Sequence, residues 1–277
     1  MTPRDELKAL LLPKELFIFD LDGTLFNTLG DLAPAVNYAM TQFGLKTHSN
    51  ETVKIFIGNG SMNLIRRAVA ANYIDARDVR NFDKVATELE REGFSDEKIK
   101  EIHKIYSEYY WEHCTENTEP YEGVVELLQR ISNRAENFNR NEDYAECDKN
   151  GAQPVNCVAT KSAKVRYAAM LTNKPIAPAQ KILKKFGLEN SFATYLCGDT
   201  TPERKPSPAG IYEILRQTGI APEKAIMIGD DTPDVLAAKN AGIDCITLFE
   251  GFGKAENLLP LEPRYTASHI KDFAEFI

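Results

Sequence analysis

Short apolar runs recur along the chain, with LFIF at 16–19, RYAAML at 166–171, AIMI at 225–228 and CITL at 245–248. Segments with helix signals separate or follow them: EGVVELLQRI (122–131), PAQKILKKFGL (178–188), PAGIYEILRQTG (208–219) and DVLAAKNAG (234–242). The last three reach a glycine near the predicted stop, where a left-handed residue ends a helix at little steric penalty. Alternation of this kind predicts a parallel sheet covered by helices, a Rossmann-like, doubly wound α/β core.

Between about Asp31 and Thr118 the strand pattern stops, and long helical patterns with charged faces replace it, including SDEKIKEIHKIYSEYYWEHC from Ser95. This stretch follows the first strand and its loop. Ligands of open α/β sheets bind outside the carboxyl ends of the strands, so a domain inserted there is expected to cover the crevice as a lid. The predicted division is a core of residues 1–30 and 119–277 and a helical cap of residues 31–118. Residues 133–164 are polar, without a sustained period, and join a helix to the next strand. They are expected to form a surface insertion at the amino ends of the strands, remote from the crevice, with a hairpin flap or a flexible loop around PVNCVAT.

Composition narrows the partners. A net charge of -8 argues against general affinity for nucleic acid or an anionic membrane. An anionic substrate then requires a locally positive pocket. No apolar stretch approaches the roughly 20 residues of a membrane span, and the N-terminal residues carry acids and no signal-peptide core. A soluble, cytoplasmic monomer or homodimer is expected. Cys114, Cys147, Cys157, Cys197 and Cys245 are scattered and read as reduced thiols, with a Cys147–Cys157 bridge or metal site as a minor alternative. His48, His103, His113 and His269 have no metal-binding spacing, and Tyr106, Tyr109, Tyr110 and Trp111 are expected to pack a helix into the cap.

The sharpest chemical feature is FIFDLDGTLFNT at 17–28, in which an apolar strand ends in two carboxylates one residue apart. The strand end presents Asp20 to the crevice, and the turn at Asp22 and Gly23 brings the second acid back beside it. An ionised Asp can attack phosphorus, while a protonated neighbour gives its proton to the leaving oxygen and later assists water. A lone pair of this kind is usually an exposed turn, but three further phrases accompany it in order: AAMLTNKP, GDTTPERKPSP and IGDDTPD.

Together these phrases resemble the four signatures of the haloacid dehalogenase superfamily. The resemblance implies that Asp20 is the nucleophile and a Mg²⁺ ligand, and that Asp22 is the acid/base and offers its backbone carbonyl to the metal. It further implies that Thr172, helped by the Asn173 backbone, orients the phosphoryl group and that Lys205 stabilises its charge. Asp230 would bind the metal directly and Asp234 through water, Asp231 being the weaker candidate. Thr24 and Asn173 count among the substrate-binding positions.

Within the superfamily the chain is similar to phosphoglycolate phosphatases in LFNTLGDLAPAVNYAM, IGNGSMNLIRRA, YEGVVELL, LTNKP, GDTTPERKPSP and IGDDTPDVLAAKNAG. It departs from them in the polar insertion and in Cys197-Gly198, where the usual phrase begins Gly-Gly. The implied substrate is a small phosphorylated metabolite, 2-phosphoglycolate. Gly58, Asn59, Gly60 and Ser61 are candidates for a cap loop that reaches into the site, and Arg66 or Arg67 for holding a carboxylate by a bidentate fork. The alternatives are a less selective phosphatase of sugar phosphates, pyrophosphate or nucleotides, a phosphomutase, and a non-catalytic phosphate-binding regulator.

Overall fold

Side-chain alternation along the central strand divides the core into two apolar faces. The strand β1 (Leu16–Phe19) is buried on both sides. Phe17 and Phe19 lie in one cluster with Ala168, Met170, Ile226 and Ile228, whereas Leu16 and Ile18 lie in a second with Ala169, Leu171, Ala225 and Met227. That period of two is what a pleated strand imposes. The computed structural model describes residues 2–132, 165–201 and 203–277; the expected insertion at 133–164, with Cys147 and Cys157, lies outside the described residues.

In β1, β4 (Tyr167–Leu171), β5 (Thr194–Leu196), β6 (Ala225–Gly229), β7 (Asp244–Leu248) and β8 (Tyr265–Ala267), every pairing is parallel, and the order is β5-β4-β1-β6-β7-β8. The chain runs from β1 outward through β4 to β5, then returns to place β6 on the other side of β1. The carboxyl ends of β1 and β6 therefore flank the point where the winding reverses, the crevice where such sheets bind ligands. One face is covered by α1 (Pro3–Leu11), α7 (124–132) and α8 (Ile176–Lys185), the other by α9 (Ala209–Thr218) and α10 (Thr232–Ala241). Gly219 and Gly242 end α9 and α10 in the left-handed conformation, as the sequence predicts.

The sequence reading omits α1, the short strands β5 and β8, and the two-residue pair β2 (Phe26–Asn27) and β3 (Glu119–Pro120). Helix α1 carries a capping box between Thr2 and Asp5 and buries Leu7, Leu10 and Leu11 against the core. The strands escape notice because two or three residues are too few for a period to register.

A helical cap domain is inserted between β2 and β3. Its helices are α2 (Leu29–Gln42), α3 (Asn50–Phe56), α4 (Ser61–Ala70), α5 (Phe82–Arg91) and α6 (Asp96–His113), around a cluster of their own that Phe252 of the core joins. Ser95 caps α6 by accepting from Lys98 N, and Ile99, Ile102, Tyr106 and Tyr110 form its buried stripe. The antiparallel β2–β3 pair sets the outgoing and returning crossings side by side, so the cap joins the core through one narrow neck.

Candidate active site

The DLDGT turn is fitted around Asp230. Asp20 continues β1, its N–H donating to Ile228 O of β6 at 3.0 Å. Gly23 has φ +88°, and a Cβ there would stand 2.3 Å from Asp230 Oδ2, so a side chain is excluded by both conformation and space. Asp230 in turn accepts from Thr24 Oγ1 (2.6 Å), Phe252 N (2.7 Å) and Gly253 N (3.3 Å). Thr24 is thus spent on Asp230 and does not line the cleft, which corrects its expected place among substrate-binding residues.

Asp234, in the first turn of α10, accepts from the N–H groups of Asp230 and Asp231 through Oδ2, each at 3.1 Å. Its Oδ1 receives Lys205 Nζ at 2.6 Å, and the same ammonium donates to Asp20 Oδ1 (2.6 Å) and Leu171 O (2.7 Å). Asn173 fixes the backbone that carries this lysine, donating to Lys205 O and accepting from Lys205 N, both at 3.0 Å. The Asn173 side chain is therefore occupied, while its backbone N–H has no acceptor among the described residues. Thr172 Oγ1 accepts from Lys174 N at 3.2 Å, which leaves its own proton to donate.

Asp20, Asp230 and Asp234 are buried, with carboxylate oxygens within 4.8 Å of one another. One ammonium, that of Lys205, faces all this charge. Burial raises the Asp20 carboxyl to about 7 against the pull of Lys205, with Asp234 adding to the rise. Burial and then the charges of Asp20 and Asp234 hold Asp230 well above the usual carboxylate range. Lys205 is raised as well: burial alone would lower it, but Asp20 and Asp234 together hold it above the ordinary ammonium value. The neighbouring acids have partners of their own, Asp22 in Lys174 and Asp231 in Arg80 at 3.5 Å. The three buried oxygens with uncompensated charge fit a hard divalent cation such as Mg²⁺. The Asp22 carboxylate is not in that group; it accepts from Thr28 Oγ1 (2.7 Å) and from Lys174 Nζ at 2.8 and 3.1 Å.

From the cap, the loop Gly58-Asn59-Gly60 runs into the same cleft with φ values of +114°, +60° and +87°. A Cβ at Gly58 would stand 2.4 Å from Asp231 Oδ2, and one at Gly60 2.9 Å from Arg204 Nη1, so the loop lies directly against the core. Asn59, Gly60 and Ser61 line the cleft together with Asp20, Asp22, Thr172, Asn173 and Lys205, and Ser61 Oγ pairs with His103 Nε2 at 2.8 Å.

Arg66 is not brought there. It ion-pairs with Asp96 at 2.7 Å, because five residues along a helix turn it about 140° from Ser61. Arg67 is buried behind the loop, where its Nη1 donates to Phe56 O and Gly58 O, each at 2.8 Å; it braces the loop and does not line the cleft. Lys174 and Tyr110 line the cleft and were not singled out for chemistry by the sequence reading. The signal for Lys174 was its place two residues beyond Thr172; for Tyr110 it was the aromatic run of α6.

A sequence model described as "Haloacid dehalogenase-like hydrolase" matches residues 17–137 and 161–248. The chain is 29% identical over 273 residues to Phosphoglycolate phosphatase 1 of Pseudomonas aeruginosa, covering 98% of this chain and 82% of the relative. It is also 29% identical over 250 residues to the phosphoglycolate phosphatase of Psychrobacter arcticus, covering 90% of each. Among solved structures it is similar to a predicted phosphoglycolate phosphatase from Haemophilus somnus, with a TM-score of 0.72, 26% identity and coverage of 95% and 97%. A structure from Lactobacillus delbrueckii shares the fold with a TM-score of 0.74 at 23% identity, covering 94% of this chain and 97% of its own.

Proposed function

Since the chain belongs to the haloacid dehalogenase-like hydrolase family, we propose that it is a Mg²⁺-dependent phosphatase that hydrolyses 2-phosphoglycolate to glycolate and phosphate through an aspartyl phosphate on Asp20. The observation that carries this reading is the pairing of two acids with two lysines, Lys205 on Asp20 at 2.6 Å and Lys174 on Asp22 at 2.8 Å, in the lining of one cleft.

Lys205 holds one oxygen of Asp20, and the carboxylate attacks phosphorus as the bond from phosphorus to the alkoxy oxygen breaks. Asp22 gives its proton to that departing oxygen. Thr172 Oγ1 and the Asn173 N–H donate to the phosphoryl oxygens, and Lys205 balances the charge spread over them. In the second half Asp22, now a carboxylate, takes a proton from water. The water oxygen bonds to phosphorus, and the bond to Asp20 breaks to release phosphate. Asp20, Asp230 and Asp234, with the Asp22 carbonyl, would hold the Mg²⁺, whose charge neutralises the phosphoryl oxygens and favours an ionised Asp20.

The substrate reading rests on the names of the relatives and on the cap loop, whose glycines bring backbone close to a small ligand. The test is phosphate release from a panel of 2-phosphoglycolate, sugar phosphates, nucleotides and pyrophosphate, with chelator and with Mg²⁺ restored. Turnover is expected to require Mg²⁺, with 2-phosphoglycolate giving the highest kcat/KM. A better ester would overturn the substrate and leave the phosphatase; silence on the whole panel would overturn both.

A further inference from the structure

We propose that Lys174 and Tyr110 form the subsite for the substrate's carboxylate, one from the core loop after β4 and the other from α6 of the cap. The inference deepens the proposed phosphoglycolate activity and rests on it. Among the described residues that line the cleft, the cationic side chains are Lys174 and Lys205. An ammonium has three N–H donors. Those of Lys205 meet three acceptors, on Asp20, Leu171 and Asp234, so it has none left for a second anion. Lys174 donates to the carboxylate of Asp22 and to no other acceptor among the described residues, so it retains donor capacity.

Tyr110 supplies the second observation. It is 3% exposed, it lines the same cleft, and its hydroxyl is buried without a hydrogen-bond partner. A buried hydroxyl left unpaired is unfavourable, and a ligand oxygen would relieve it. Lys174 Nζ lies 4.7 Å from the centre of the Tyr110 ring, so the orphan hydroxyl and the ammonium with a spare donor belong to one corner of the cleft.

Position gives the ligand class. If Asp22 protonates the leaving oxygen, that oxygen lies against the Asp22 carboxyl, and Lys174 is 2.8 Å from the same group. In 2-phosphoglycolate the carboxylate is separated from the leaving oxygen by one carbon, which puts it within reach of Lys174. One ammonium and one hydroxyl suit a carboxylate monoanion better than a second phosphate. Neither Arg66 nor Arg67 lines the cleft, so among the described residues the cap offers no arginine for this role. Because its halves come from core and cap, it is complete only with the cap closed.

The test compares kcat/KM for 2-phosphoglycolate with that for ethyl phosphate in wild type, Lys174→Met, Lys174→Arg and Tyr110→Phe. The ratio of the two substrates is the readout, since any effect passed through Asp22 slows both and cancels. Loss of a hydrogen bond to a charged group corresponds to about ten- to a hundredfold. The ratio is expected to fall by about that factor in Lys174→Met, mainly through KM for 2-phosphoglycolate, and by about tenfold in Tyr110→Phe, with Lys174→Arg keeping more of it. Unchanged ratios in Lys174→Met and Tyr110→Phe would overturn the subsite. Should Lys174→Met fail to fold, Tyr110→Phe decides by the same criterion. A wild type with no preference for 2-phosphoglycolate would overturn the substrate reading, and this inference with it, before any variant is compared.

Discussion

At Gly58 a methyl group would meet Asp231 Oδ2 at 2.4 Å and Arg80 Nη1 at 3.1 Å, on a backbone whose φ of +114° side chains rarely adopt. The closed contact between cap loop and core therefore depends on the absence of a Cβ here, as it does at Gly60. Gly58→Ala is predicted to lift the loop, at a strain of about 1–3 kcal/mol felt mainly by the closed state, and to reduce kcat/KM about tenfold or more. Steady-state kinetics beside a thermal melt will show it, and a variant with wild-type kcat/KM would mean that the loop does not close in this way. Residues of this kind differ in how far the sequence discloses them. Asp20, Asp22, Thr172, Lys205 and Asp230 stand in phrases whose chemistry can be reasoned from residue type and order, and the structure gathers them at one cleft or directly behind it. Lys174 was passed over, since a lysine after a strand ordinarily reads as solvated; only the fold shows it 7% exposed beside Asp22. Arg66 failed for the converse reason, because a one-dimensional string does not say which side of α4 faces the cleft.

At the scale of elements, the neck between cap and core is closed by one acid. Asp31, in the first turn of α2, accepts from Asn117 N (2.8 Å), Asn117 Nδ2 (3.0 Å), Thr118 N (2.8 Å) and Thr118 Oγ1 (2.7 Å). It thus ties the first cap helix to the segment returning into β3, and its charge also suits a helix N-terminus. Asp31→Ala strands the buried Thr118 N–H and hydroxyl, and it is predicted to destabilise the protein by about 2–4 kcal/mol in urea titrations. A change below about 0.5 kcal/mol would show that the clasp is not a stability element. The central strands were legible as short apolar runs, which became β1, β4, β6 and β7, and α6 was legible because the phrase after Ser95 repeats its pattern over several turns. Strands β5 and β8 had three residues each in which to show a pattern. Helix α1 left a readable cue in Thr2, Pro3 and Asp5, a cap and helix start followed by LKALL.

For the whole molecule, the sequential order of strand-end motifs carried the architecture, because parallel winding brings successive strand ends to one side of the sheet. What order alone could not supply was the closure of cap on core, which depends on contacts between distant segments. The cap also carries a pH dependence. Burial lowers both His48, which bonds Ala68 O at 2.8 Å, and His103, where the charge of Arg204 adds to the effect. Above the ordinary value of 6.5 both states are neutral and these residues leave stability unchanged; below it the unfolded chain binds protons that the folded cap resists. These two histidines are therefore predicted to lower stability as pH drops from about 6.5, opposite in sign to the raised Asp20 carboxyl, so that wild type loses stability relative to His48→Gln over this range. Urea titrations of both proteins across this range test it, and a difference between them that stays constant with pH would count against a half-buried histidine held neutral. The proposed chemistry turns, finally, on Asp20. Acid quenching of a single turnover with enzyme in excess over 2-phosphoglycolate, followed by peptide mapping, should find the phosphoryl group on Asp20, with none trapped and no turnover in Asp20→Asn. Phosphate release by Asp20→Asn at near the wild-type rate, or a phosphoryl group on another residue, would contradict it.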